Sequence, residues 1–254
     1  MPVHERSSIR DHVAIVTGST DGIGLATALR FADEGAKVAI MGRDPERGSA
    51  ALATVTAHGD AIYVQGDAAQ KEDVDLLFAR TIGTWGRLDI LVNCAGGFVE
   101  VSDIEDLDEA EWEKIVDWNL TSCYIATQAA AAPMKEKGYG RIVNVSSISA
   151  RDALANVSLV YSAAKSAMQG FTRRLSVELA PHGITVNAVA PGVTLTERFR
   201  LIHQERVPQI VANLPVGFGG EPEDIADAIW YFSTPGSGYV TGATIDVNGG
   251  QYVN

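Results

Sequence analysis

Val13-Ala14-Ile15-Val16 is a run of four apolar residues without alternation. A strand with one face in water alternates apolar and polar residues, whereas an unbroken run suits a strand covered on both faces. Similar short runs recur along the chain, separated by longer stretches with helical periodicity. The pattern predicts strands at His12–Thr17, Lys37–Met41, Ala61–Gln65, Leu88–Asn93, Arg141–Ser146, Thr185–Val189 and Thr244–Val247. Between them it predicts helices at Ile23–Glu34, closed by Gly35, then Pro45–His58, Lys71–Trp85, Glu109–Lys137, Ser158–His182 and Ile225–Phe232, with Glu109–Lys137 interrupted or ended near Pro133. Alternating strands and helices imply an α/β fold: a doubly wound parallel sheet with helices on both faces and right-handed crossovers. A chain of 254 residues with no internal repeat or linker is expected to form one domain from 11 to 254, preceded by a polar, flexible leader at 1–10. The segment 193–221 breaks the rhythm and is expected to be a lid.

Bulk properties narrow the function classes. A formal net charge of -12 argues against non-specific binding to nucleic acid or anionic membranes. No apolar run approaches the ~18 residues of a membrane span. Cys94 and Cys123 have neither metal-ligand spacing nor a disulfide framework, which suits a reduced cytoplasmic setting and a role as small buried hydrophobes. His4, His12, His58, His182 and His203 form no ligand pattern, so no metal is expected.

Two clusters of residues carry chemistry. Gly18, Gly22 and Gly24 lie between the first strand and first helix, in Thr17-Gly18-Ser19-Thr20-Asp21-Gly22-Ile23-Gly24. Glycines allow a tight turn and close approach of a phosphate, and the helix N-terminus favours negative charge. Tyr161 and Lys165 are four residues apart, on one face of the predicted helix. A nearby ammonium favours the phenolate and would lower the tyrosine pKa from its usual ~10, making a general acid/base. Between these clusters stand Asn93-Cys94-Ala95-Gly96, Asn119 and Asn144-Val145-Ser146-Ser147, and Pro191-Gly192 follows them.

In that order, the motifs from about Asp11 to Gly250 resemble the short-chain dehydrogenase/reductase family. The C-terminal stretch Thr241 to Gly250 resembles its 3-oxoacyl reductase-like branch. The resemblance implies a Rossmann-type fold and an NAD(P)-dependent enzyme acting on a small-molecule carbonyl or alcohol substrate. It also implies roles. Tyr161 would be the general acid/base and Ser147 would hydrogen-bond the substrate oxygen. Lys165 would lower the tyrosine pKa and bind the nicotinamide ribose. Asn119, at a helix break, would hold a water through its main-chain carbonyl. Gly18, Thr20, Asp21, Gly22, Ile23 and Gly24 would line the cofactor. So would Asp67 and Ala68, with Asp67 at the adenine, and Asn93, Ala95 and Gly96 after the fourth strand. Pro191, Gly192, Val193 and Thr194 would lie beside the nicotinamide carboxamide, with Thr196 a further candidate there.

Cofactor choice depends on Met41-Gly42-Arg43-Asp44. By resemblance Gly42 stands where NAD enzymes place an acid, and Arg43 can pair with the 2′-phosphate of NADP. Asp44, twenty residues after Gly24, has near the spacing of a ribose-binding acid and keeps NAD possible. Candidate substrate contacts are Phe98, Ser147, Ile148, Ser149, Asp152, Leu154, Tyr161 and Phe199, with Glu197, Arg198 and Arg200 on the lid. The loop Ala150–Val160 is one residue longer than is common in the family. A homotetramer through the two long helices is expected, with Ala129 to Ala132 as a close-packing face. Two other readings stand beside reduction of a ketone or 3-oxoacyl group: an NAD-dependent secondary-alcohol dehydrogenase, and a nucleotide-binding protein without catalysis.

Overall fold

The computed structural model describes residues 6–98, 101–154 and 156–253. Seven strands form one parallel sheet in the order β3-β2-β1-β4-β5-β6-β7. The strands are β1 (Val13–Thr17), β2 (Lys37–Gly42), β3 (Ala61–Gln65), β4 (Ile90–Asn93), β5 (Gly140–Val145), β6 (Ile184–Pro191) and β7 (Thr244–Val247). Helices α1 (Gly22–Asp33), α2 (Pro45–Thr56) and α3 (Lys71–Trp85) connect the first four strands. Two helices, α4 (Glu109–Val116) and α5 (Ser122–Lys137), precede β5, and α6 (Leu159–Leu179) precedes β6. Short helices α7 (Glu197–His203) and α8 (Val207–Ala212) occupy the segment 193–221, the expected lid, and α9 (Pro222–Ser233) leads to β7.

Unbroken apolar strands arise because each face has its own core. Ala14, Val16, Val38 and Ile40 face a cluster completed by Phe31, Ile229 and Phe232. Their neighbours Ile15, Ala39 and Met41 face the opposite cluster with Leu77, Phe78 and Met134. Such doubly covered strands are the expected consequence of crossover helices on both faces.

The predicted elements are present with shifted ends, and two expectations need correction. The flexible leader does not extend to residue 10. Residues 1–5 lie outside the described residues, but Ile9 is fully buried in the core and Asp11 N–H donates to the Gly35 carbonyl at 2.9 Å. Isolated apolar residues in a polar stretch give no periodicity to read. The long fourth helix is not broken at Pro133, which lies inside α5. Proline removes one backbone donor, yet α5 runs on to Lys137, where Gly138 ends it in the left-handed conformation (φ 68°). The break lies instead at a five-residue π-helical turn, Asp117–Thr121, centred on Asn119.

Candidate active site

The order of strands reverses between β1 and β4, and ligands bind outside the carboxyl ends of parallel strands at such a switch point. A cleft of about 810 Å³ opens there. Its nucleotide end is built by the turn after β1. Gly18 has φ of 62°, and a Cβ on it would lie 2.7 Å from the Ala95 Cα, so β1 and β4 approach closely only because this residue is glycine. A Cβ on Gly24 would lie 2.2 Å from the Gly18 carbonyl oxygen. Asp21 caps α1, its carboxylate accepting from Gly22 N–H at 2.6 Å. Thr17 Oγ1 accepts from Cys94 and Ala95 N–H, both at 3.2 Å, tying the two strand ends together.

Gly18, Thr20, Asp21, Gly22, Ile23, Gly24, Arg43, Asp67, Ala68, Ala95 and Gly96 all line the cleft, as do Pro191, Gly192, Val193, Thr194 and Thr196. Asn93 does not. It is buried one layer below, its side-chain amide donating to Thr127 Oγ1 at 3.0 Å and to Asn144 Oδ1 at 2.8 Å. Asp44, the alternative ribose acid, is not in the lining either. Its carboxylate caps α2, accepting from Glu46 and Arg47 N–H at 2.9 and 3.1 Å. Arg43 lies at the cleft wall, 3.7 Å from the Asp67 carboxylate. The site thus offers a tight backbone cradle, a helix N-terminus and a guanidinium at the tip of β2, which is a donor set suited to a dinucleotide phosphate.

Deeper in the cleft, Ser147, Tyr161 and Lys165 come together from the end of β5 and the face of α6. Ser158 caps that helix through its hydroxyl, which accepts from Tyr161 N–H at 3.4 Å. The Ser147 hydroxyl shares the cleft with the Tyr161 phenol and accepts from Ser149 Oγ at 3.0 Å. Lys165 is buried and its Nζ donates to the Val145 carbonyl at 2.8 Å. The expected lowering of the tyrosine pKa is not found. Burial pushes the Tyr161 phenol up to about 12, against a smaller lowering by Ser147. Burial also brings the Lys165 ammonium down to about 8. Asn119 is fully buried behind them. Its side-chain amide donates to the Gly97 and Ile115 carbonyls, both at 2.8 Å, and its carbonyl oxygen accepts from Gly97 N–H at 2.9 Å. Gly96 is threaded between these groups: a Cβ there would lie 2.5 Å from Asn119 Oδ1 and 3.0 Å from Lys165 Nζ.

Phe98, Ile148, Leu154 and Phe199 line the substrate half, with the Phe98 ring 5.0 Å from that of Tyr161. Ser149 and Asp152 are not in the lining: Ser149 is buried against Ser147, and the Asp152 carboxylate accepts from Ala153 N–H at 2.9 Å within its own loop. Of the lid residues, Arg200 turns to Glu221 at 2.8 Å, while Arg198 lines the cleft and donates to the Phe98 carbonyl at 2.5 Å. Sequence reasoning missed Trp118, Val157, His203, Arg206 and Gln251 as lining residues. Trp118 adjoins Asn119 and could have been found from that neighbour, whereas Gln251 arrives from the far C-terminus, where its Oε1 accepts from Val193 N–H at 3.1 Å. Cys94 also lines the cleft, while Cys123 is buried. Among the described residues, no group of three or more His, Cys, Asp or Glu is disposed to hold a metal ion, and no helix is long and apolar enough to cross a membrane.

Fold and cleft together are those of a nicotinamide-dependent oxidoreductase. A family model described as enoyl-(acyl carrier protein) reductase matches residues 18–251. The chain is 38% identical to the (2S)-[(R)-hydroxy(phenyl)methyl]succinyl-CoA dehydrogenase subunit BbsD of Thauera aromatica over 96% of this chain and 97% of that one. It is 36% identical to the 3-oxoacyl-[acyl-carrier-protein] reductase of a Synechocystis species, over 96% of this chain and 98% of that one. The crystal structure of levodione reductase superposes with a TM-score of 0.91 at 28% identity, covering 95% of this chain and 98% of that one. The chain belongs to the short-chain dehydrogenase/reductase family, in its 3-oxoacyl reductase-like branch.

Proposed function

We propose that the protein is an NADP(H)-preferring reductase that converts a ketone or 3-oxoacyl group to a secondary alcohol. The observation that carries this reading is the placing of Ser147, Tyr161 and Lys165 in one cleft with the glycine turn, the Lys165 ammonium 5.5 Å from the centroid of the Tyr161 ring. When bound, the nicotinamide supplies the hydride, and the protein supplies position and electrostatics. The Ser147 hydroxyl donates to the substrate carbonyl oxygen and fixes its orientation. Tyr161 gives its proton to that oxygen as negative charge develops on it. The buried Lys165 ammonium adds positive charge beneath the phenol, which favours this transfer. Asn119 acts through backbone: it fixes Gly97 against the π-helical turn and so shapes the floor of the cleft beside Lys165.

The preference for NADP rests on Arg43 and on Gly42, which leaves no carboxylate at the position where an NAD enzyme would carry its acid. Arg43 pairs with Asp67 at 3.7 Å in a largely exposed contact and lies over the Trp118 ring at 5.4 Å, neither of which occupies the fork of its guanidinium against a 2′-phosphate. Asp44 is committed to capping α2. The substrate class draws on relatives named for acyl thioesters, including the acetoacetyl-CoA reductase of Cupriavidus necator, 35% identical. The oxidative direction is the second reading, favoured by the relative named as a dehydrogenase. A homotetramer in the cytoplasm completes the proposal. It is supported by the exposed Trp112, Tyr124 and Val177 on the helices expected to pair. Fluorescence titration with NADPH and NADH tests the reading. Tighter NADPH, followed by turnover of a 3-oxoacyl thioester, is the expected result; binding of neither cofactor would overturn it.

A further inference from the structure

The chain carries 32 acidic and 20 basic residues, yet the substrate half of its cleft has the opposite sign. The acids that line the cleft are Asp21 and Asp67, both at the nucleotide end, and each faces an arginine. The lid wall instead presents Arg198, His203 and Arg206 to the cleft. Among the described residues, neither Arg198 nor Arg206 has a carboxylate within ion-pair distance, whereas their lid neighbour Arg200 is neutralised by Glu221 at 2.8 Å. Arg198 is already spent on the Phe98 carbonyl and the face of Trp118, its guanidinium carbon 5.3 Å from that ring. Among the described residues, Arg206 has no such partner. A guanidinium without a carboxylate partner at the solvent-exposed rim of the cleft attracts and orients an anion, and it matches carboxylate and phosphate oxygens in a bidentate fork.

We propose that Arg206 is a specificity residue that selects substrates bearing an anionic group, carboxylate or phosphate, away from the reacting carbonyl. Phe199 and Ile202, on the helix α7 that precedes the 3-10 turn holding Arg206, supply the apolar wall that the intervening part of the substrate would lie against. The inference deepens the reductase reading and rests on it. It commits that reading to charged oxo compounds and predicts poor use of neutral ketones of the same shape.

The test compares wild type with Arg206→Gln and Arg206→Lys on three substrates: an oxo acid, its methyl ester and a 3-oxoacyl-CoA thioester. Arg206→Gln is expected to raise the ratio of KM values, acid to ester, about tenfold or more, and Arg206→Lys to recover part of that loss. A rise for the acid alone assigns the anion to a substrate carboxylate; a rise for the thioester alone assigns it to a carrier phosphate. Calorimetry of the oxo acid and the thioester against the cofactor-saturated protein reads the same preference without turnover. A failure of the reductase reading would therefore show as binding without reduction. Equal losses for acid, ester and thioester, or a loss of NADPH affinity as large as the loss for the charged substrate, would overturn the proposal.

Discussion

Lys165 Nζ lies 5.5 Å from the centroid of the Tyr161 ring and donates at 2.8 Å to the Val145 carbonyl, so it sits beneath the phenol as a buried cation. The pair is exposed to the same force in opposite senses. Burial disfavours the charged form of each group, raising the tyrosine to about 12 and lowering the lysine to about 8. At neutral pH the proton is therefore on Tyr161, where a reductase needs it.

The pH dependence of turnover follows from those directions. Reduction should be flat from about pH 6 to about 8 and decline above that, as Lys165 loses its charge while Tyr161 keeps its proton. Alcohol oxidation should instead climb through the alkaline range, because it needs the phenol to give up its proton. Initial rates in both directions across pH 6–10 check this. A reductive optimum above about pH 9 would contradict the assignment of the acid.

Lys165 should also cost stability. Its folded pKa lies below the unfolded value of 10.5, so the penalty of burying an ammonium is fully present below about pH 8 and is relieved as pH rises toward 10.5. Lys165→Met should stabilise the fold at pH 7 by about 2 kcal/mol, the lost bond to Val145 offsetting part of the gain. The same variant should lose most activity. Thermal unfolding at pH 7 and pH 10 tests the sign. The gain should shrink at the higher pH, and a variant less stable than wild type at pH 7 would show that burial of the charge is not the dominant cost.

The parallel sheet, the glycine turn and the i, i+4 pair were legible from local patterns, whereas most other cleft residues came only from the resemblance to the family. What escaped has non-local causes. Nothing in Tyr161-Ser162-Ala163-Ala164-Lys165 reports how deeply the fold buries both groups, so proximity alone suggested a lowered phenol pKa. The role of Asp44 was obscured in the same way: a carboxylate at the right distance from the glycines is equally placed to cap α2, and only coordinates distinguish the two. Asn93 and Ser149 stand in the expected motifs but one layer beneath the surface they were expected to line. Arg206 and Gln251 reach the cleft from segments whose sequences have no periodicity to orient them.

Asn119, buried behind the cleft, should be important to its architecture. Its amide satisfies both polar groups of the Gly97 backbone as well as the Ile115 carbonyl. Asn119→Ala should cost about 2–4 kcal/mol, since it leaves the Gly97 groups without protein partners. Asn119→Asp should be as damaging at pH 7, placing a carboxylate against two carbonyl oxygens, and should regain stability as pH falls and that carboxyl takes up a proton. Urea unfolding at pH 5 and pH 7 measures both. A cost below about 1 kcal/mol for the alanine variant would mean that the π-helical turn holds its shape without this side chain.

The tip of β2 gives the sharpest test of cofactor choice. A Cβ added to Gly42 would lie 2.5 Å from Thr20 Cγ2 and 2.7 Å from Thr20 Oγ1, so the position where an NAD enzyme would carry its acid is already filled by a side chain of the glycine turn. Thr20 cannot retreat freely, because it lies on the turn that Ser19 fastens to β2 by accepting from Met41 N–H at 3.0 Å. Gly42→Asp alone should therefore weaken NADPH binding and lower the melting temperature without improving NADH binding. With Thr20→Ala beside it, space opens for the carboxylate, and the double variant should bind NADH at least about tenfold tighter relative to NADPH than wild type does. Arg43→Ala should lower the NADPH to NADH affinity ratio by a similar factor while leaving the fold intact, because its pairing with Asp67 is largely exposed. Fluorescence titrations of the four proteins with both cofactors decide the matter. If Gly42→Asp alone gains NADH, Thr20 is not the obstacle, and if Arg43→Ala leaves the ratio unchanged, the guanidinium does not read the 2′-phosphate.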